Sequence, residues 1–274
     1  MPLVVLTYPG HFFFTTLTIR SFLKYHATPD QIYIVADDLS PHAWPDYVGD
    51  CQQHYHEFGA CVIGASRLET LQAYNKNGWI RQQIIKLCLD QLVNFETCFY
   101  TDGDIIFLNA VDPDCVPYSE PGQGNIGQLN QSYVSAMLDI ANPGISVNNK
   151  SICVSNPAFR TLESRVLQQL RQAVETKTQQ KFDLTHVNYQ TQDTSSVSEW
   201  ELIENFKLHK LGRHPNLVKY APHDYTAVSQ PLTFFKHQFL TCYGTDQTIG
   251  ANWFASQGVT DLDRYWNKIE KISR

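Results

Sequence analysis

The sequence lacks several features that identify common protein classes. No apolar run in the 274 residues is long enough to cross a bilayer, and the apolar start has neither a basic segment before it nor a small-residue cleavage site after it. We therefore expect neither a membrane anchor nor a secretory signal. The seven cysteines include no Cys-x-x-Cys pair. Their odd number and mostly apolar surroundings indicate reduced thiols, which favours a cytoplasmic protein.

The chain also lacks the common phosphate-binding loops and an excess of basic residues. No Gly-x-Gly-x-x-Gly follows the first predicted strand, which disfavours a dinucleotide-binding fold. The Gly-rich stretch 121–127 lacks the Gly-Lys-Ser/Thr ending of a P-loop. The formal net charge is -6, which argues against general nucleic-acid binding but leaves room for a local basic patch.

The composition and the apolar pattern indicate one sizeable α/β domain over residues 1–274. Hydrophobic residues make up 43% of the chain and aromatic residues 12%, so we expect a packed core. Short apolar runs alternate with helical patterns along the first hundred residues. This order predicts a mostly parallel central sheet flanked by helices. The predicted strands are 3–7, 31–36, 60–64 and 96–102, and the predicted helices are 11–26, 44–58 and 78–93.

The second half of the chain is less regular in its pattern. Residues 109–150 are predicted to form a long loop region, followed by a short strand over 151–155 and a helix from Asn156-Pro157 to about 176. Ser198 is a predicted N-cap, and Glu201 would complete a capping box. We expect a late strand at 232–235 and C-terminal helices over 245–256 and 260–272.

Polar side chains follow three of the predicted strands, and the most informative are Asp102 and Asp104. In an extended segment, alternate side chains point the same way, so the two carboxylates can face one point on either side of Gly103. Two carboxylates at one point suit Mg²⁺ or Mn²⁺ completed by substrate phosphates, although calcium loops and turns also contain Asp-Gly-Asp. Thr7-Tyr8 and Asp37-Asp38 also lie at predicted strand ends, where parallel sheets bind ligands.

Four segments together resemble the glycosyltransferases of the GT-A fold that use nucleotide sugars, and among them little-characterised bacterial and phage-like domains. The four are Asp37-Asp38-Leu39-Ser40, residues 78–87 (GWIRQQIIKL), Asp102-Gly103-Asp104 and Ser198-Glu199-Trp200-Glu201. The resemblance implies metal-dependent transfer of a sugar, of hexosyltransferase type, from a nucleoside-diphosphate sugar, with UDP favoured. It implies a nucleotide-sugar half over 1–110, an acceptor-side half over 111–244 and C-terminal helices over 245–274.

The resemblance also implies roles for individual residues. The metal, Mn²⁺ or Mg²⁺, would be held by the two aspartates of the motif and a late histidine. His237 is the first choice for that histidine, which favours Mn²⁺, and His223 is the second. The residues expected to contact the nucleotide sugar are Tyr8, Asp37, Asp38, Trp79, Arg81, Gln82, Gln83, Lys86, Asp102 and Lys236.

An inverting enzyme also needs a carboxylate that deprotonates the acceptor hydroxyl. Glu199 is the candidate, with Asp104 and Lys86 as the other catalytic residues. A glutamate in the first turn of a helix is also stabilised by the helix dipole, so a structural role is the alternative. A retaining enzyme would need no such base, and the stereochemical outcome stays open.

The sequence leaves the acceptor open: we expect a hydroxyl of a glycan or, as the phage-like resemblance implies, of a hydroxymethylated pyrimidine in DNA, which would have to be flipped out of a duplex. A local basic stretch, which is otherwise a solvated surface, could contact a phosphorylated or nucleic-acid acceptor; it comprises Lys207, His209, Lys210, Arg213, His214 and Lys219. Two alternatives share the architecture. A sugar-phosphate nucleotidyltransferase would need a Gly-rich basic signature after the first strand, which is missing. A non-catalytic carbohydrate-binding protein would not need both aspartates.

Overall fold

The computed structural model describes residues 1–74, 78–107, 110–118, 126–148, 150–152, 154, 159–183, 198–219 and 239–241. Its strands are β1 (Leu3–Thr7), β2 (Ile32–Ala36), β3 (Cys61–Gly64), β4 (Thr97–Asp102), β5 (Ile105–Phe107), β6 (Cys115–Tyr118), β7 (Ile145–Val147), β8 (Lys150–Ile152), β9 (Phe159–Glu163), β10 (Asn216–Lys219) and β11 (Phe239–Thr241). Its α-helices are α1 (Phe12–Tyr25), α2 (Tyr47–His54), α3 (Gly78–Leu87), α4 (Leu89–Leu92), α5 (Ile126–Leu138), α6 (Ser164–Thr178) and α7 (Glu199–Leu211). Short 3₁₀ helices cover His56–Phe58, Ala65–Arg67 and Glu69–Tyr74.

The central sheet has the strand order β3-β2-β1-β4-β9. The first four strands of the chain are parallel, and β9 joins β4 as an antiparallel edge strand. Helices follow β1, β2 and β3 along the chain, as expected for strands joined by crossover connections. The predicted α/β class, with a mostly parallel sheet flanked by helices, is confirmed.

Both faces of the sheet are covered, because the buried strands are apolar on both sides. One face packs against α1 and α2 through residues such as Val5, Phe22 and Tyr47. The other face packs against α3, α5, α6 and α7 through residues such as Leu6 and Ile84. Continuous apolar strands such as β1, which is fully buried, are typical of this three-layer arrangement.

Two predictions for the second half of the chain are wrong. The region 109–150 is not a long loop, because it contains β6, β7 and the helix α5, which packs against α6 and α7. The helix expected from Asn156-Pro157 begins instead at Ser164, after strand β9. The short sequence of β9 has no clear period of its own, and its pairing with β4 decides its conformation. The predicted strand 232–235 and the helices over 245–272 lie outside the described residues.

The five cysteines that the structure describes are free thiols, and four of them are buried, as the sequence predicts: Cys51, Cys88, Cys98 and Cys115. Within the described ranges, no helix is long and apolar enough to cross a membrane.

The strand order reverses between β1 and β4, because β2 and β3 follow β1 on one side while β4 lies on the other. Leu6 of β1 pairs with Asp102 at the end of β4. At such a switch point, the loops after the two strands diverge and leave a crevice beyond the carboxyl ends of the strands. The Asp102-Gly103-Asp104 motif lies at this point.

Gly103 fits against β1 with no room for a side chain. Its N–H donates to the carbonyl oxygen of Leu6 at 2.8 Å. A Cβ atom added at Gly103 would lie 2.4 Å from Thr15 Oγ1 and 2.7 Å from the Leu6 carbonyl oxygen. The second of these atoms is backbone inside a buried strand and cannot move cheaply, so Gly103 holds the motif close to the switch point.

We expect Gly103→Ala to lower the free energy of unfolding by about 1–3 kcal/mol, the usual cost of forcing a methyl group into a packed site. Urea denaturation measures this loss. Gly78→Ala is the matched control, because among the described residues its added Cβ would meet only the Arg81 guanidinium, at 3.6 Å, and alanine favours the helix. Equal stability of the two variants would show that the motif can shift away from β1.

Candidate active site

The centre of the site is Lys86, whose ammonium group joins two carboxylates. Its Nζ atom lies 3.2 Å from Asp102 Oδ2 and 2.8 Å from Glu199 Oε1. All three side chains are almost completely buried. Burial opposes the charge of Lys86, but Asp102 and Glu199 outweigh it and raise the pKa of Lys86 above its ordinary value. The site therefore contains a permanently charged lysine between two carboxylates.

Three further side chains hold this cluster. The Tyr100 hydroxyl donates to Asp102 Oδ1. The Gln83 amide lies against the Glu199 carboxylate and donates to it when its NH₂ group faces that way. The Lys86 ammonium also lies 5.4 Å from the centre of the Trp200 ring and 5.8 Å from that of Tyr100, which are cation–π distances.

Helix α7 places Glu199 in this cluster through its capped first turn. The Ser198 hydroxyl accepts a hydrogen bond from the Glu201 N–H, as the sequence predicts. The Glu201 carboxylate accepts from the Val154 N–H. Since Ser198 fixes where the helix begins, Glu199 occupies its first position and reaches Lys86 on α3.

Asp104 follows in the turn after β4 and is partly exposed. Burial, together with the negative charge of Asp102, raises the pKa of Asp104 to about 7, although Lys86 opposes this. In the described part of the chain, no lysine or arginine forms an ion pair with Asp104. The ionised carboxylate is thus held close to a like charge.

The cluster has an excess of negative charge that a divalent cation would balance. Asp102, Asp104 and Glu199 carry three negative charges when ionised, and Lys86 carries one positive charge. Asp102 has a spare lone pair on each oxygen, so it can ligate a cation beside its two hydrogen bonds. The pair Asp102 and Asp104 therefore suits Mg²⁺ or Mn²⁺. The described residues contain no group of three or more potential ligands, and the predicted third ligand, His237, lies outside them.

The raised pKa of Asp104 predicts how the stability of the metal-free protein depends on pH. The folded state keeps a proton on Asp104 up to about pH 7, whereas the unfolded chain loses it near pH 4. The stabilisation from this group is therefore complete below about pH 4 and is lost as the pH rises to about 7. With chelator present, we expect wild type to lose stability relative to Asp104→Asn between pH 5 and pH 8. Urea denaturation at each pH tests this, and a pH-independent difference would contradict it; Asp46→Asn, an exposed aspartate, is the control.

Asp37 and Arg81 form a second buried ion pair. Arg81 donates from Nε to Asp37 Oδ1 at 3.0 Å and from its terminal nitrogen to Asp37 Oδ2 at 2.8 Å. Both side chains are 2% exposed, so the pair joins the end of β2 to α3 inside the protein. Asp38 binds Ser66 through both carboxylate oxygens. The sequence predicts that Asp37 and Arg81 each contact the nucleotide sugar. This geometry instead favours a structural role for the pair.

The polar residues of α3, all expected to contact the nucleotide sugar, differ in their exposure. Gln83 and Lys86 are buried and face Glu199, whereas Gln82 is partly exposed. Trp79 is 44% exposed at the start of the helix. Of these side chains, Trp79 and Gln82 have the surface needed to contact a ligand.

Two residues near the site, Tyr100 and His11, are not among the predicted site residues. Tyr100 lies two positions before Asp102 on the same face of β4, and this alternation is the signal that could have identified it. His11 follows β1 beside Tyr8, with the two rings 5.2 Å apart and edge-on. Burial lowers the pKa of His11, although Asp102 opposes this, and the buried Nδ1 atom receives no hydrogen bond from the described residues.

The remaining predicted site residues, Lys236, His237 and His223, lie outside the described residues. The predicted basic stretch is partly neutralised. Lys207 pairs with Glu204, and Arg213 pairs with Glu163. Lys210 donates to the carbonyl oxygen of Asp139.

Comparison with known proteins returns solved glycosyltransferase structures. The galactosyltransferase LgtC, solved in complex with donor and acceptor sugar analogs, is 10% identical with a TM-score of 0.44, over 98% of this chain and 100% of that one. GlyE from Streptococcus pneumoniae TIGR4 is 12% identical with a TM-score of 0.42, over 97% of this chain and 63% of GlyE. The bifunctional glycosyltransferase WbbM is 8% identical with a TM-score of 0.46, over 99% of this chain and 51% of WbbM.

No family model matches the sequence, and no curated protein matches it either. The solved structures are glycosyltransferases, the class that the sequence motifs resemble. Their identities and TM-scores are too low to transfer an activity, so the function has to be inferred from the site itself.

Proposed function

We propose that this protein is a metal-dependent glycosyltransferase that moves a sugar, of hexose type, from a nucleoside-diphosphate sugar to a hydroxyl acceptor, with a UDP-sugar favoured as donor. The observation that supports this function most directly is the cluster of charged residues at the switch point between β1 and β4. There, Asp102 and Asp104 lie beside Lys86, and the cluster has two more negative than positive charges when ionised. A divalent cation held by these carboxylates would in turn bind a diphosphate.

Each residue has a distinct proposed role. Asp102 and Asp104 would hold Mn²⁺ or Mg²⁺, which supplies charge neutralisation as the diphosphate departs. Lys86 fixes Asp102 in place, since its ammonium and the Tyr100 hydroxyl occupy one position on each carboxylate oxygen. The exposed indole of Trp79 and the partly exposed Gln82 and Tyr8 would contact the donor. Lys236 and His237 stay in the proposal as a diphosphate contact and a third metal ligand.

Glu199 is better suited to positioning Lys86 than to accepting the proton of the acceptor. Its side chain is 4% exposed and already accepts from the Lys86 ammonium at 2.8 Å. Burial raises the pKa of Glu199, although the Lys86 ammonium opposes this by favouring the ionised carboxylate. A reaction that retains configuration needs no such base, and this arrangement is compatible with it.

The geometry favours a glycan over nucleic acid as the acceptor. Binding to a nucleic-acid backbone requires cations that are available to phosphates. Lys207 and Arg213 of the basic stretch are instead paired with carboxylates. A hydroxymethylated base in DNA is the minority proposal, and the cytoplasm is the proposed compartment because the described cysteines are free thiols.

A thermal-shift screen tests the donor assignment. UDP-, GDP-, CMP- and dTDP-sugars are added to the full chain with Mn²⁺ and, separately, with chelator. We expect one donor, a UDP-sugar first, to raise the melting temperature with Mn²⁺ and to have a much smaller effect with chelator. If none of the four raises it, the proposal fails. Release of pyrophosphate from a nucleoside triphosphate and a sugar 1-phosphate would instead indicate a nucleotidyltransferase.

A further inference from the structure

A second polar cleft lies beside the edge strand β9. Its volume is about 270 Å³, and the walls come from β6 and the residues before it, β9, α7 and the segment that leads into β10. The residues that define it are Thr161, Glu163, Glu204, Lys207, Arg213 and Asn216. Glu163 pairs with Thr97, at the opposite end of β4 from Asp102. That edge of the cleft is roughly 17 Å from Asp102 along the strand at about 3.3 Å per residue, whereas Arg160, at the inner edge of the cleft, pairs with Tyr100.

The charged groups of the cleft cancel one another. Three acids and three bases line it: Asp114, Glu163 and Glu204, with Arg160, Lys207 and Arg213. Arg213 donates to both carboxylate oxygens of Glu163, at 2.8 and 2.9 Å. A phosphate would meet these acids, and a metal cation would meet these bases. The lining therefore suits a neutral ligand that both donates and accepts hydrogen bonds.

Glu204 indicates which kind of neutral group the cleft would take. Its side chain is 1% exposed, and Oε1 accepts from the Lys207 ammonium at 3.1 Å. The other oxygen, Oε2, is buried and receives no hydrogen bond from the described residues. A buried carboxylate oxygen without a donor is costly. A hydroxyl group can supply that donor and also accept from a neighbouring ammonium.

We propose that this cleft binds a neutral saccharide, with sugar hydroxyls bonding the Glu204–Lys207 and Glu163–Arg213 pairs. Each pair offers an acceptor beside a donor, which matches hydroxyl groups on neighbouring sugar carbons. The volume is just under the range of about 300–1,000 Å³ that is usual for small-molecule pockets, and it suits a single sugar ring. The proposal stands apart from the proposed transfer reaction, because it involves none of the residues around Asp102.

Saturation-transfer difference NMR on the full chain tests this proposal. The probes are glucose, galactose, N-acetylglucosamine and lactose, with chelator present so that no metal-dependent donor site contributes. We expect at least one of them to bind wild type, and Arg213→Ala to weaken that binding at least about tenfold. Arg213 is half-exposed, so its loss should leave the fold intact, which the melting temperature checks. Lys210→Ala is the matched control, because Lys210 is an exposed cation three residues before Arg213, on α7, and does not line the cleft.

Asp104→Asn distinguishes this site from the proposed active site. We expect the variant to keep saccharide binding, even if the donor assignment is wrong. Any of three results would overturn the proposal: no probe binds, Arg213→Ala binds as wild type does, or Asp104→Asn loses the binding. Competition by inorganic phosphate would also overturn it, because it would identify the cleft as an anion site.

Discussion

Asp104→Asn should abolish sugar transfer and, at pH 8 without metal, make the protein more stable. The loss of activity should be at least about a hundredfold, because a metal ligand that stabilises developing charge supplies several kcal/mol and each 1.4 kcal/mol is a factor of ten. The gain in stability follows from the raised pKa of Asp104, which marks a carboxylate held against Asp102 in a partly desolvated turn. A ligand in a cation site is expected to show both effects: it destabilises the metal-free protein and is needed for activity.

The two effects are measured on the same preparations. Transfer, or hydrolysis of the donor identified by the thermal-shift screen, is assayed with Mn²⁺, and the melting temperature is recorded at pH 8 with chelator. Asp46→Asn is the control, because this exposed aspartate lies away from the cluster and should change neither quantity. Activity close to wild type in Asp104→Asn would refute the metal role. A melting temperature of Asp104→Asn below that of wild type at pH 8 would show that repulsion between Asp102 and Asp104 does not destabilise the metal-free protein.

The sequence predicts the first half of the fold well, for a physical reason. Residues 3–102 alternate between short buried strands and helices that pack on them, so local patterns and final structure agree. The predicted fourth strand and its terminal aspartate agree with the structure to within one residue. The sequence does not predict strand β9, because its conformation depends on pairing with β4, a contact far away in the sequence. It does not predict helix α5 either, because Gly-rich and polar residues precede the helix and dominate the local signal.

The candidate site shows the same division between local and distant information. The sequence motifs identify Asp102, Asp104, Lys86 and Glu199 as candidates, and the structure brings Lys86 together with Asp102 and Glu199. Their pairing could not be read from the chain, because α3 and α7 meet only in the folded protein. Helical spacing places Gln83 and Lys86 on a polar face, and a polar face is normally exposed to solvent. Here a partner carboxylate on α7 allows that face to be buried.

Lys86→Met should cause the largest loss of stability among single substitutions in the site. Methionine has nearly the shape of lysine, so the change removes the charge while keeping most of the packing against Trp200 and Tyr100. Asp102 and Glu199 would then be buried without their common cation. Breaking a buried ion pair by removing one partner costs about 3–5 kcal/mol. Urea denaturation at pH 7 with chelator measures it.

The double variant Lys86→Met/Glu199→Gln separates charge from packing in this loss. If the uncompensated Glu199 carboxylate causes a large part of it, the double variant should be clearly more stable than Lys86→Met alone, and the two changes should be strongly non-additive. Lys177→Met, which breaks an exposed lysine–carboxylate pair, is the control and should change stability little. If the double variant were no more stable than the single one, the lysine would act mainly through its packing against Trp200. That result would contradict the proposal that the charge of Lys86 holds Asp102 in place.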